Sequence, residues 1–372
     1  MKVLLLSAYA AQSHVHWQRG LLAMFPDWQW QVLSLPPRYF SWRVRGNPLY
    51  WSLTERALLE RDYDLLLATS MVDLATLRGL VPALARVPSL LYFHENQFDY
   101  PRQREQSSLL EAQMVSLYSA LAADQLLFNS AYNRDSFLDG LAGLLGRLPD
   151  RVPPGVVAGL RDKARVLPVA IELEPDTPAT ARWPGAGGER PARPLRLLWS
   201  GRFEHDKGGD RLLLALQQLD RHGLDYELAL CGQQFRNSPA VFAEIEARFS
   251  HRLVHFGYLP AASDYRALLR AADVVLSAAL HEFQGLAVLE AVASGCLPAV
   301  PDRLSYPEIY PVKFRYSSHL DDAAGEALAA ARLVCELARQ AGIVAPDVSA
   351  FGVARLKPRY SSLLHSRGRG AG

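Results

Sequence analysis

Cysteine is scarce in this sequence of 372 residues: there are three, Cys231, Cys296 and Cys335, and no two form a Cys-x-x-Cys pair. That excludes a disulfide framework and a paired-cysteine zinc site. It fits a reducing compartment, so a cytoplasmic protein is expected. A surplus of one charge sign is also missing. Forty Lys and Arg stand against 38 Asp and Glu, a net charge of +2. The chain is no polycation, and any anionic partner must be met by local patches. Long hydrophobic runs are missing too. None approaches the roughly 18 residues of a membrane span, so no membrane partner is expected. The opening Met1 to Ala11 has an apolar core of only Val3 to Leu6, followed by polar Gln12, Ser13 and His14. A first strand suits this better than a cleaved leader. A Gly-rich phosphate loop is absent as well, because the cluster Gly185-Ala-Gly-Gly188 follows no strand and opens no helix.

What is present is the pattern of an α/β protein. Apolar residues make up 49% of the chain, enough for two cores, and the length suits two domains. Strands are expected at Val3–Leu6, Trp30–Leu35, Tyr63–Ala68, Ser89–Phe93 and Gln125–Phe128, with Arg165–Pro168 closing a first domain. A second series runs through Leu195–Ser200, Tyr226–Cys231, Arg252–Phe256, the apolar run Asp273–Leu280 and Cys296–Val300. Helices fill the gaps, the first of them near Trp17 to Phe25, as in two Rossmann-like, doubly wound domains. The expected division is residues 1–173, a Pro- and Gly-rich linker 174–194, a second domain 195–345, and a terminal stretch 346–372 ending in a basic tail.

One stretch carries the chemistry, His281 to Pro301. Its turn leads into a helix beginning near Gly285, and Gly295 stands where a helix-ending glycine belongs. Glu282 lies in the turn and Glu290 in the helix, with seven residues between them. The neighbours of Glu290 are Leu286, Ala287, Val288, Leu289, Ala291, Val292 and Ala293, so its carboxylate is partly buried and needs partners. The vicinal diol of a ribose is one such partner; a structural salt bridge is the other. Gly285 leaves room for a phosphate to approach the helix amides. Phe283, Gln284 and Leu286 flank the same turn. Arg202 and Lys207, in the first turn of the second domain, suit a diphosphate: Arg offers a fork, Lys a point charge. Gly257-Tyr-Leu259, at the end of a strand, offers a backbone seat for a base.

In the first domain, His94-Glu-Asn-Gln97 lies at the carboxyl end of a strand, where α/β sheets bind ligands. Asn129 and Ser130 either line the same site or only cap a helix. The stretch Pro36 to Trp51 has no clear period. It mixes Arg38, Arg43 and Arg45 with Tyr39, Phe40, Trp42, Tyr50 and Trp51. Such mixing suits a surface for phosphates and stacked bases; a long loop pinned by its aromatics reads equally well. Arg102, Arg104 and the Arg367–Arg369 tail are further basic candidates. Asp62-Tyr-Asp64 has the Asp-x-Asp form of a metal site but stands at the start of a strand, the wrong end for a ligand.

The Glu-x7-Glu turn and helix resemble the retaining nucleotide-sugar glycosyltransferases with two facing Rossmann domains, the GT-B type of family four. Phe93-His-Glu-Asn-Gln97, Ser277-Ala-Ala-Leu-His-Glu-Phe283, Ser305-Tyr-Pro-Glu-Ile-Tyr-Pro311, Ser7 to His14 and Leu35 to Trp42 narrow the likeness. These stretches resemble the tRNA-queuosine mannosyltransferases and their bacterial relatives, over most of residues 1–311. Gln284 stands where related sequences often carry an aromatic. The resemblance implies a GT-B fold with a central cleft, and transfer of mannose from GDP-mannose to queuosine in tRNA. It implies His94 and Glu282 as catalytic residues. Donor contacts are expected from Arg202, Lys207, Gly257, Tyr258, Leu259, Phe283, Gln284, Gly285, Leu286 and Glu290. Acceptor contacts are expected from Ser13, His14, Arg38, Tyr39, Phe40, Trp42, Arg43, Glu95, Asn96 and Gln97. No cofactor and no metal are expected. It also implies a terminal helix that crosses back onto the first domain. Two other readings stay open. One is a GT-B transferase with a different nucleotide sugar, or with a glycan, lipid or small-molecule acceptor. The other is a catalytically silent RNA-binding protein on the same scaffold, against which the intact Glu282, Glu290, Arg202, Lys207 set speaks.

Overall fold

A computed structural model describes residues 1–99, 109–173, 182–188, 192–340 and 342–366. The chain forms two compact units, Met1–Ala170 with the chain from Val353 onward, and Ile171–Gly352. Each is built on a parallel sheet. In the first unit the strands are β1 (Lys2–Ser7), β2 (Gln29–Ser34), β3 (Leu65–Thr69), β4 (Ser89–Phe93), β5 (Gln125–Phe128) and β6 (Ala164–Val166), in the order β2-β1-β3-β4-β5-β6. In the second they are β7 (Leu195–Ser200), β8 (Tyr226–Cys231), β9 (Leu253–Gly257), β10 (Val274–Leu276), β11 (Leu297–Pro301) and β12 (Arg315–Tyr316), ordered β12-β11-β10-β7-β8-β9. The β3, β4 and β5 residues are all buried. This matches strands covered by helices on both faces, and it explains why they read as unbroken apolar runs.

Strand order decides where a ligand is held. In the second sheet the chain moves from β7 outward to β8 and β9, then returns to place β10 on the other side of β7. Connections at β7 and β10 therefore leave in opposite directions, which makes the loops at their carboxyl ends the switch point at which sheets of this kind bind ligands. Those loops carry Arg202, Lys207 and Glu282. In the first sheet the same reversal falls between β1 and β3, and His14, Ser70 and His94 follow β1, β3 and β4.

Four expectations need correction. Residues 36–51 are not an aperiodic loop, since Phe40–Thr54 is a helix containing Pro48. The ring removes one backbone donor, and the Asn47 side chain compensates by donating to Val44 O at 2.8 Å and to Arg43 O at 2.8 Å. The first helix starts at Gln12, not near Trp17, so Ser13 and His14 sit on its first turn. The apolar run from Asp273 is strand only over Val274–Leu276 and then becomes the loop that holds Glu282. Of the stretch taken as a linker, residues 182–188 and 192–194 are described, and they are fastened to the second unit. Trp183 is buried in its core and donates to Glu227 Oε2 at 2.7 Å.

Asp64 is occupied at the start of β3. Its carboxylate accepts from the Lys2 amide at 2.6 Å, and its own amide donates to Lys2 O at 2.9 Å. The terminal helix, Val353–His365, packs on the first unit. Tyr360 is its anchor: the hydroxyl accepts from Trp17 Nε1 at 3.1 Å and donates to Pro168 O at 2.9 Å. Among the described residues no helix is long and apolar enough to cross a membrane.

Candidate active site

In the second unit the loop after β7 and the loop after β10 lie back to back. Gly208 has φ +68, and a Cβ there would meet Ala278 O at 1.9 Å. Only glycine permits both that conformation and that approach. The Leu280 and His281 amides both donate to Asp206 O, at 2.8 and 3.1 Å. The two loops are therefore tied together, which brings Lys207 to Glu282. Lys207 Nζ lies 3.0 Å from Glu282 Oε2 and 3.1 Å from Asp206 Oδ2, and donates to His281 O at 3.3 Å. Burial works against the charge on Lys207, but Glu282 and Asp206 outweigh it and hold the ammonium protonated. Burial pushes the Glu282 carboxyl up, and the Lys207 charge overcomes this and holds it below the usual carboxylate range. Arg202 pairs with Glu204 at 2.9 Å. Burial pushes the Glu204 carboxyl up, against the opposing pull of Arg202. Each cation thus rests on a carboxylate.

Gly285, at φ +73, starts the Leu286–Ala293 helix with no side-chain cap. A Cβ at Gly285 would stand 3.0 Å from the Tyr306 ring. Tyr306 bonds Ser277 Oγ at 2.7 Å, the Tyr316 hydroxyl donates to Ser277 O at 2.6 Å, and Arg303 donates to Ala279 O. Arg303 is itself held by the buried Glu326 at 2.7 Å. These residues buttress the turn from behind. Sequence reasoning missed Tyr316, Arg303 and Glu326, and it had Tyr306 only within a family-like stretch.

Glu290 projects from the helix and accepts from the Tyr265 hydroxyl at 3.2 Å; that hydroxyl is also 3.2 Å from Ser200 Oγ. Burial and the neighbouring Glu290 charge push the Tyr265 hydroxyl well up, so it stays a donor. Tyr265 was also missed, since a tyrosine on an amphipathic helix carries no local signal. Phe283 and Gln284 are buried, Leu286 is half-buried, and Phe283 meets the His281 ring edge-on at 4.4 Å. Gly257 closes β9 with its carbonyl accepting from Gly232 at 3.0 Å, Tyr258 is exposed, and Leu259 packs partly on the core.

In the first unit His94 is buried at the end of β4. Its ring stacks on His14 at 4.1 Å, meets the Trp17 edge at 4.9 Å and lies 4.7 Å from the Tyr92 ring. Burial, then the nearby imidazoles of His14 and His16, push His94 well below the ordinary histidine range. Its carbonyl accepts from Asn129 Nδ2 at 2.9 Å, and Ser130 caps the next helix through Asn133 N at 3.0 Å. Asn129 therefore holds the site loop, while Ser130 caps. Asn96 turns inward, donating to Asn133 Oδ1 and Ser136 Oγ at 2.9 Å each and accepting from Phe98 N at 2.9 Å. Its side chain is spent on shaping the loop. Gln97 is buried and its carbonyl accepts from Gln113 at 3.0 Å; Glu95 is half-buried and Ser13 exposed.

The basic-aromatic stretch divides in two. Arg38, Tyr39 and Trp42 are exposed, with the Arg38 guanidinium 5.8 Å from the Tyr39 ring centre. Arg43 is half-buried. Phe40 packs edge-on against Tyr9 at 5.7 Å, and Arg45 is tied to Asp73 at 2.6 Å and Glu111 at 3.1 Å. Phe40 and Arg45 hold the helix down. Arg102, Arg104, Arg367 and Arg369 lie outside the described residues.

A family model described as tRNA-queuosine alpha-mannosyltransferase N-terminal matches residues 2–171, and one described as glycosyl transferases group 1 matches residues 187–311. A tRNA-queuosine alpha-mannosyltransferase of Drosophila melanogaster is 33% identical over 320 residues, 85% of this chain and 83% of its own. Among solved structures, Anabaena HepE in complex with UDP aligns with a TM-score of 0.60 at 14% identity, covering 98% of this chain and all of that one. A lipopolysaccharide outer core galactosyltransferase, WaaB, aligns with a TM-score of 0.62 at 13% identity, covering 98% of this chain and 99% of its own. At such identities these two establish the GT-B fold alone. With the two family models and the fly relative, they identify the chain as a glycosyltransferase that belongs to the tRNA-queuosine alpha-mannosyltransferase family.

Proposed function

We propose that this glycosyltransferase moves mannose from GDP-mannose to a hydroxyl of the cyclopentenediol of queuosine, at the wobble position of a tRNA, with the α configuration retained. The observation that carries the reading is the match of residues 2–171 to the N-terminal region of tRNA-queuosine mannosyltransferases. A tRNA acceptor also puts the activity in the cytoplasm. Glu290 takes the ribose diol, and Glu282, held ionised by Lys207, orients the sugar. Arg202, Lys207 and the uncapped amides after Gly285 take the diphosphate. To do so Arg202 exchanges Glu204 for phosphate, whose oxygens accept from both arms of the guanidinium fork. The donor phosphate accepts the acceptor proton, so no dedicated general base is needed. The test is incubation with GDP-mannose, other nucleotide sugars and bulk tRNA, followed by nucleoside digestion and mass spectrometry. A hexose added to queuosine from GDP-mannose supports the reading. Transfer only from another donor, or onto no nucleoside, overturns it.

Turnover is expected to survive EDTA, because Arg202, Lys207 and the helix amides supply the charge that a metal otherwise brings. The check is the initial rate with and without chelator. Loss of turnover restored by magnesium or manganese removes the metal-free reading.

The exposed Arg38, Tyr39 and Trp42, with Arg43, are proposed as part of the tRNA surface. Replacing Arg38 and Arg43 together is expected to raise the KM for tRNA and leave the KM for the nucleotide sugar within about twofold. Each lost phosphate contact lowers the slope of log affinity against log salt by about 0.7–0.9. Arg45 is left intact, because removing it would free the Asp73 and Glu111 carboxylates and loosen the helix. Wild-type tRNA affinity at every salt concentration would move the RNA surface elsewhere.

A further inference from the structure

The imidazole pair in the first unit has a feature that donor and acceptor binding do not require. His94 Nε2 is buried and has no hydrogen-bond partner among the described residues. The ring lies on His14 at an interplanar angle of 23°, with Trp17 and Tyr92 on its other sides. The titratable groups facing it are His14 and His16 from the Gln12–Met24 helix and Tyr92 from its own strand; Tyr92 is in turn met by Tyr360 of the terminal helix, hydroxyl to hydroxyl at 3.5 Å. The two that act on its charge, His14 and His16, have the same sign as a protonated His94. His16 is drawn aside to Ala170 O at 3.1 Å. Like charges stacked ring on ring in a water-poor pocket disfavour double protonation.

We infer that His14 is a positioning residue, one that fixes the plane of the His94 ring and, as a stacked neighbour of like charge, disfavours its protonation, so that His94 serves the reaction as a neutral imidazole. The inference rests on the transferase reading for its purpose. An oxocarbenium-like centre carries positive charge, and a cationic neighbour would raise its energy, whereas a neutral imidazole can hydrogen-bond beside it. The negative charge of the leaving diphosphate is then left to Arg202 and Lys207.

The experiment has one arm that needs no substrate. Protein carrying 13C-labelled histidine is titrated by NMR, with the His94 signal assigned by its loss in His94→Gln. In the wild type the signal is expected to stay neutral through the ordinary imidazole range near pH ~6.5. In His14→Ala, which admits water and removes the like charge, the titration should move up by about one pH unit or more. The second arm is the pH profile of kcat with GDP-mannose and queuosine-bearing tRNA. His14→Ala should lower kcat roughly tenfold, leave the donor KM unchanged and shift the acid limb upward, while His14→Phe, which keeps a flat ring in the stack, should recover most of kcat. Melting curves establish that each variant is folded, and His14→Phe carries both arms if the alanine variant is not. In that case an upward shift of the His94 titration in His14→Phe, with kcat largely kept, is the supporting outcome. A wild-type His94 that titrates in the ordinary range overturns the inference, as does a titration indifferent to His14. A His14→Ala effect confined to the tRNA KM also overturns it and makes His14 an acceptor contact. Failure of the transfer assay alone, with the titration as expected, counts against the proposed reaction and not against the pair.

Discussion

Replacing His94 by alanine is expected to lower kcat by roughly 10²–10³-fold while donor affinity stays within about twofold. His94 is buried in the first unit, among His14, Trp17 and Tyr92, with its carbonyl fixed by Asn129. Lys207, Glu282 and Glu290, the proposed donor contacts, belong to the other unit. A group that engages the reacting centre chiefly in the transition state shows itself in kcat and not in ground-state binding. The measurement is single-turnover rate against nucleotide-sugar affinity for the same variant. The alanine also empties a ring-sized space between His14 and Tyr92, so His94→Gln is the companion variant. Equal damage to rate and donor affinity would reduce His94 to a structural residue.

Glu290→Gln is expected to weaken nucleotide binding by about 2–4 kcal/mol, roughly 30- to 1,000-fold, through lost charge-assisted hydrogen bonds to the two ribose hydroxyls. Glutamine is the informative change because it still accepts from Tyr265, whose buried hydroxyl would otherwise lose its carboxylate partner. Alanine would combine the loss of donor contacts with that local cost. Calorimetry with GDP and with a 2′,3′-dideoxyribose analogue separates the two. Wild-type enzyme should lose affinity for the dideoxy compound, and Glu290→Gln should bind both alike. Should the folded variant keep wild-type affinity for GDP, the ribose does not sit at Glu290.

Much of the framework was legible because it is local. Strand runs such as Val3–Leu6 and Leu65–Ala68 are apolar at every position, since a parallel strand buried on both faces has no polar side. Glu282 and Glu290 stood out because one turn and one short helix contain both, on an otherwise apolar background. The Phe40–Thr54 helix was illegible for the opposite reason. Its aromatics and arginines follow no helical period, and Pro48 argues against a helix until the Asn47 side chain is seen to satisfy the Val44 carbonyl.

The sequence by itself determined the α/β class and the turn that marks a glycosyltransferase, both of them properties of neighbouring residues. Only the tertiary structure decided which charges meet. Lys207 reaches Glu282 across 75 positions, His14 lies on His94 across 80, and Tyr265 meets Glu290 across 25. Each of these pairs is brought together by strand order at the carboxyl ends of a sheet. There the opposite charge holds Lys207 and Glu282 ionised against burial, while burial favours the uncharged forms of Tyr265 and His94, and no reading of local spacing contains that information.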